Sequence, residues 1–184
     1  MRTSSANLGL FFCLAGLAVF VLMTSVGIHI DRDLRQKEPY YKAPVYFKDP
    51  FLTLRNDSYG KGFFGASRDG GRTHKGIDIL APVGQPVLAA KSGRIFFAGT
   101  DKGYGWYVEI HHPDGLRTRY AHLSRIDVMA GDWIRQGSVL GACGKTGNAS
   151  NHRMSPHLHF EILSPEGAAN PSRLLDPILF PRRH

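Results

Sequence analysis

Three short stretches carry side chains that could do chemistry together. In His157-Leu158-His159-Phe160-Glu161-Ile162, the alternation of an extended strand puts His157, His159 and Glu161 on one face. Leu158, Phe160 and Ile162 fall on the other, a sound core face. A purely structural strand gains little from two neighbouring imidazoles on its outer side. In His74-Lys75-Gly76-Ile77-Asp78, an extended chain brings positions i and i+4 to one side. Imidazole and carboxylate then converge while Ile77 and Ile79 point inward, and Gly76 lets the backbone bend or pack closely. Tyr120-Ala121-His122-Leu123 again sets a polar pair, Tyr120 and His122, on one face.

Together these stretches supply one carboxylate and at least three imidazoles. Nitrogen and oxygen donors of this kind suit zinc, with one position left for water. A bound zinc ion lowers the pKa of its water to about 7 and polarises a carbonyl. Imidazoles beside it can carry the proton or hold a developing oxyanion. The chemistry is therefore metal-assisted hydrolysis, and the spacing alone leaves open which histidines are ligands. His29, His111, His112, His152 and His184 lack a comparable setting.

Side chains so arranged need rigid strands beneath them. Beyond residue 60, short apolar runs alternate with Gly, Pro and Asp, and the pattern predicts strands at 76–79, 86–89, 93–98, 106–111, 117–122, 133–135, 139–143 and 157–163. Turn signals separate them, such as Pro82-Val83-Gly84, Pro113-Asp114-Gly115 and Ala130-Gly131-Asp132. Residues 124–129 read as a short helix or turn. The expected class is mainly β, an antiparallel sandwich or open barrel-like domain.

At these residues the chain resembles the LytM/lysostaphin-type zinc endopeptidases, which cut cross-bridge and stem peptides of bacterial peptidoglycan. The matching stretches are HKGIDILAPVGQPVLAAKSGRI, TRYAHLS, AGDWIRQGSVLGACGKTG, PHLHFEI and LLDP, in the family's order and spacing. The resemblance implies one zinc ion held by His74, Asp78 and His159. It makes His122 and His157 the catalytic pair, one as base and the other stabilising the oxyanion, in an order left open. Glu161 takes a supporting role, and Arg68 and Arg72 become candidates for substrate contact. It also implies the peptides of peptidoglycan as the partner.

The chain departs from the family pattern in places. NASNHRMS, between Gly147 and Pro156, is longer than usual, so one wall of the groove is expected to be extended. His152 lies within it as an alternative ligand. Trp106 stands where Asn is common, and the segment ahead of His74 has one extra residue between Phe64-Gly65 and Arg68. A non-catalytic member of the family, activating cell-wall amidases, is the rival reading, and it predicts missing ligands where none is missing.

The remaining sequence sets the context. Residues 8–30 contain no Asp, Glu, Lys or Arg and include LGLFFCLAGLAVFVLM, long enough to cross a bilayer as a helix. They read as a signal anchor or a cleaved signal peptide over residues 1–30, which carries the domain to the periplasmic or extracellular side. Residues 31–55, rich in charge, proline and aromatics, read as a linker that becomes a docking arm near residues 45–54. The peptidase domain occupies 56–184. Lys and Arg outnumber Asp and Glu by 23 to 15, which suits an anionic partner such as an acidic cell-wall polymer. No nucleic-acid motif accompanies that charge, and Gly144-Lys145-Thr146 lacks the first glycine of a phosphate-binding loop. No lysine sits in a carrier-domain hairpin context. Cys13 and Cys143 are too differently placed for an intrachain disulfide, and a monomer is expected.

Overall fold

The structure is a computed structural model that describes residues 17, 19, 21–23, 37–47 and 51–179. The chain divides into two units, Met1–Lys37 and Glu38–His184. The apolar segment expected to anchor the chain lies almost wholly outside the described residues. Within it, Leu17, Val19 and residues 21–23 are helical and exposed. No described helix is long and apolar enough to cross a membrane.

The second unit is built from strands. Three short pairs of residues come first: β1 (Asn56–Asp57), β2 (Gly60–Lys61) and β3 (Ser67–Arg68). Then follow β4 (Arg72–Thr73), β5 (Ile77–Leu80), β6 (Pro86–Leu88), β7 (Gly93–Asp101), β8 (Gly105–His111) and β9 (Arg117–Ile126). The last are β10 (Trp133–Ile134), β11 (Val139–Cys143), β12 (His157–Ser164) and β13 (Gly167–Ala169). The expected class is observed: nine strands join one branched antiparallel sheet in the order β10-β7-β8-β9-β11-β6, with β12 on β9 and β5 and β13 on β12. β1–β2 and β3–β4 form two small ribbons beside it.

Alternation explains the core. Ile77 and Ile79 of β5, Val108 and Ile110 of β8, and Leu158, Phe160 and Ile162 of β12 are all buried in one cluster with Tyr120 and Leu123. Each large side chain so buried contributes about 1.5–3 kcal/mol over an exposed one. At Gly76, just before β5, an added Cβ would collide with the Phe160 carbonyl oxygen and stand 2.9 Å from Glu161 Cγ. Only a residue without a side chain lets the chain from His74 to Asp78 lie this close to β12.

β9 governs the geometry of the site. Along one edge it pairs with β8 over residues 117–123. Along the other it pairs with β12 over residues 117–121 and with β11 over residues 123–126. The change of partner falls at His122. There β9 carries an extra residue, since Val108 opposes Tyr120 while Trp106 opposes Leu123. His122 takes φ +64°, the single non-glycine positive φ among the described residues.

Two expectations change here. Residues 124–126 continue β9, so no helix begins at 124; pairing with β11 extends the strand. The docking arm also begins earlier than residue 45. Tyr41 is buried and bridges to Leu175, and Glu38 accepts hydrogen bonds from the Ser92 amide and hydroxyl at 2.8 and 2.6 Å. Val45 bridges to Val87 and Leu54 to Ile79, so the arm completes the edge of β5.

Candidate metal centre

β12 and β5 are neighbours in register, with His159 opposite Asp78. Both side chains project from the face away from the core. His74, held by its backbone N–H to Ala66 O at 2.9 Å, reaches the same point from the turn before β5. His74 Nε2, Asp78 Oδ1 and His159 Nδ1 then form a triangle. His74 Nε2 lies 3.0 Å from each of the other two, and His159 Nδ1 lies 2.8 Å from Asp78 Oδ1. All three residues are buried.

The outer hydrogen bonds decide where the ring protons sit. His74 Nδ1 is 2.9 Å from the Phe63 carbonyl oxygen, which can only accept, so Nδ1 carries the hydrogen and Nε2 the lone pair. His159 Nε2 donates to Glu161 Oε1 at 3.0 Å, leaving Nδ1 as a lone pair. In their neutral forms, two imidazole lone pairs and a carboxylate oxygen therefore meet with no proton among them. That donor set fits a divalent metal, with ligating histidines fixed through their second nitrogens. The charge balance agrees. Burial works against a charged His159 ring, but its hydrogen bonds with Asp78 and Glu161 outweigh burial and push the pKa up to about 9. The pocket stabilises positive charge.

Asp78 is held from behind. Its Oδ2 accepts from Arg55 Nη2 at 3.0 Å and Nε at 3.3 Å, and from Arg68 Nη2 at 2.9 Å. Burial would raise its pKa, yet hydrogen bonds with His159 and His74 and the charges of His159 and His157 hold it well below the usual carboxylate range. Glu161 is gripped likewise. Arg119 Nη1 donates to Oε2 at 2.7 Å and the Tyr104 hydroxyl to Oε1 at 3.1 Å. Arg119 in turn makes a two-pronged contact with the buried Glu109, at 3.1 and 2.8 Å.

His122 and His157 stand beside this triangle. Their ring centres are 5.1 Å apart, His122 is 5.7 Å from His159, and His157 Nε2 is 3.9 Å from Asp78 Oδ1. Each donates Nδ1–H to a backbone carbonyl: His122 to Thr146 at 2.9 Å and His157 to Ser155 at 2.8 Å. Both therefore keep a lone pair on Nε2. Burial lowers both pKa values, that of His122 down to about 3 with help from the charges of His159 and His157. Two neutral bases flank the triangle.

The five residues singled out from the sequence thus meet at one point, but His122 arrives by another route. Alternation was expected to put Tyr120 and His122 on one face. Tyr120 instead lies in the core against Phe160, ring centres 5.3 Å apart, and the left-handed turn at the extra residue swings His122 to the opposite face. Arg68 is bound to Asp78 rather than left for substrate, and Arg72 is exposed on β4. His152 is exposed and stands outside the triangle. At Trp106 the side chain is exposed and the backbone N–H binds Thr146 Oγ1 at 3.0 Å. His112 is a structural histidine, buried between Ser92 O at 2.9 Å and Thr118 Oγ1 at 2.7 Å. Arg55, Tyr104 and Arg119 went unseen in the sequence. The one available signal for Arg55 was a lone charge closing the apolar run Phe51-Leu52-Thr53-Leu54.

Known proteins share this arrangement's sequence and fold. Residues 72–171 match peptidase family M23. A Neisseria meningitidis protein named DD-carboxypeptidase/endopeptidase Mpg is 46% identical over 90 residues, which cover 49% of this chain and 20% of that protein. The chain therefore spans about a fifth of that relative's length. Among solved structures, a zinc-containing peptidase from Vibrio cholerae superposes with a TM-score of 0.59 at 27% identity, covering 72% of this chain and 39% of that one. The catalytic domain of the antimicrobial peptidase lysostaphin from Staphylococcus simulans gives a TM-score of 0.53 at 34% identity, over 63% of this chain and 88% of that domain. With its His/Asp/His triangle and the family's sequence over more than half its length, the chain belongs to peptidase family M23, the LytM/lysostaphin-type metallopeptidases.

Proposed function

We propose that this chain is a zinc endopeptidase that hydrolyses amide bonds in the stem or cross-link peptides of bacterial peptidoglycan. The observation that carries the reading is the meeting of three donor atoms of metal-ligand type, His74 Nε2, Asp78 Oδ1 and His159 Nδ1, beside two further imidazoles. Those three residues would hold the ion. Zinc bound there supplies Lewis acidity, which lowers the pKa of water and polarises the scissile carbonyl.

The remaining work falls to the chain's own residues. His122 and His157, each with Nδ1–H held by a carbonyl, can accept the proton of the attacking water at Nε2. Once protonated, either ring can return that proton to the leaving amine or donate to the oxyanion. Glu161 fixes His159 through Nε2–H, and Arg55 and Arg68 hold the outer oxygen of Asp78. The substrate class is supported by what relatives are called, a DD-carboxypeptidase/endopeptidase and a peptidoglycan DD-endopeptidase. The apolar segment at residues 8–30 is read as the export signal or anchor that brings the domain to the wall, and the basic surface as attraction to it.

A regulatory member of the fold would not need this complete set of donors and bases, which favours the enzyme. The test is incubation of the full chain, loaded with zinc, with isolated peptidoglycans of different cross-link chemistry, followed by mass spectrometry of released fragments. Fragments that vanish with chelator and in His159→Ala are expected. A folded, zinc-loaded protein that releases nothing from any wall overturns the proposal.

A further inference from the structure

The long segment after Gly147 forms a one-turn 3-10 helix, Gly147–Ser150, and a loop that returns to β12. Its two ends are fastened at the active site. The Thr146 carbonyl holds His122 and the Ser155 carbonyl holds His157. The Ser155 amide also donates to Asp57 Oδ2 at 3.1 Å, and Asp57 is bound to Arg55 at 2.7 Å. The loop's two ends therefore lie beside the reacting groups. An open surface cavity of about 620 Å³ is lined by the loop residues Gly147, Asn148, Ser150, Asn151, His152 and Arg153 together with Tyr59.

The charge in this cavity is one-sided. No carboxylate lines it. Asp57, the nearest acid to the loop, is already taken by Arg55, the Tyr59 amide and the Ser155 amide. Lys145 spends its ammonium on the His152 carbonyl at 3.1 Å. Among the described residues nothing engages the Arg153 guanidinium, while its backbone N–H is held by Asn151 Oδ1 at 3.0 Å. The loop thus fixes the base of a cation whose fork is free, next to uncharged amide and hydroxyl groups.

We infer that the 147–155 loop is a substrate subsite that selects wall peptides bearing a free carboxylate, with Arg153 as the group that binds it. The inference rests on the endopeptidase reading above. A planar guanidinium recognises a carboxylate through two parallel hydrogen bonds, whereas a carboxamide accepts through one oxygen and carries no charge. Because Arg153 is exposed, the effect is modest, about three- to tenfold.

The test uses the full zinc-loaded chain and two soluble cross-linked stem peptides, one with free carboxylates and one with the same groups amidated. Arg153→Gln should raise KM for the first about three- to tenfold, leave kcat and zinc content unchanged, and leave the amidated peptide unaffected. Arg153→Lys should recover part of the loss. No change in Arg153→Gln, or an equal change on both peptides, overturns the inference. Calorimetric binding of the two peptides separates this result from the larger reading. Arg153-dependent binding without turnover would sink the enzyme and keep the subsite. Turnover with no dependence on Arg153 would do the reverse.

Discussion

Replacing His122 by alanine or by glycine removes the same imidazole but asks different things of the backbone. Both variants free the Thr146 carbonyl and empty the same space, so those costs cancel in the comparison. What differs is the left-handed φ of +64° at the extra residue of β9. A side chain there costs about 1–2 kcal/mol, which glycine does not incur. Glycine loses about 0.4–1 kcal/mol relative to alanine through the freedom it gains in the unfolded chain. The balance leaves His122→Gly more stable than His122→Ala by about 0.5–1 kcal/mol. For a unit of this size that is a Tm difference of about 1–4 °C. The assay is urea or thermal unfolding of the two variants, with Ala121→Gly as control. Ala121 is fully buried beside His122 and opposite His159 in an ordinary strand position, so glycine there should destabilise. If His122→Gly proves equal to or less stable than His122→Ala, the reasoning that the left-handed backbone at residue 122 is strained for a side chain is wrong.

Three further outcomes follow from the geometry. Gly76→Ala should lower stability by at least about 2 kcal/mol in chemical denaturation, because its Cβ meets the Phe160 carbonyl, which a sheet-bound strand cannot move. Glu161→Gln, which keeps shape but removes charge behind His159 Nε2, should weaken zinc binding about 10–100-fold in competition with a chromophoric chelator; unchanged affinity would refute its supporting role. His112 should make stability depend on pH. Burial depresses its pKa to about 4 against 6.5 unfolded, with Ser92, Thr118, Tyr41, Lys91, Asp114 and Glu38 around it. The unfolded chain therefore takes the proton first. The neutral ring's contribution is complete above pH 6.5 and falls by up to about 3 kcal/mol as pH drops to 4. Stability-against-pH curves for the parent and His112→Gln should converge in slope outside that window and differ within it.

The strands were readable because their code is local. Alternation over residues 157–162 names both the core face and the site face, and glycine and proline mark the ends of nearly every strand. His74 and Asp78 were readable for the same reason, since a separation of four residues is spanned within one segment. His122 was found, but the reasoning about its face failed. An extra residue in a strand flips the alternation, and its cause is the change of partner from β12 to β11, which no local pattern records. Arg55 and Arg119 escaped for a related reason. Their partners lie 23 and 42 positions away, and an arginine that neutralises a buried carboxylate looks in sequence like any solvated charge. The arm from Glu38 onward was likewise obscured by its charges, of which Glu38 turns out to be hydrogen-bonded to Ser92 of the domain.

The grip of Arg55 on Asp78 also bears on what counts as the portable piece of this protein. The family's common block begins at residue 72, after both arginines that hold the outer oxygen of Asp78. A gene fusion or domain exchange cut at that boundary would transplant the ligands without their support, and would strip the edge of β5 that residues 53–55 complete. The working unit of this chain is accordingly longer than the block it shares with the family. It begins at the arm, whose residues hold the ligand Asp78 and the edge of β5 from ahead of the shared motif.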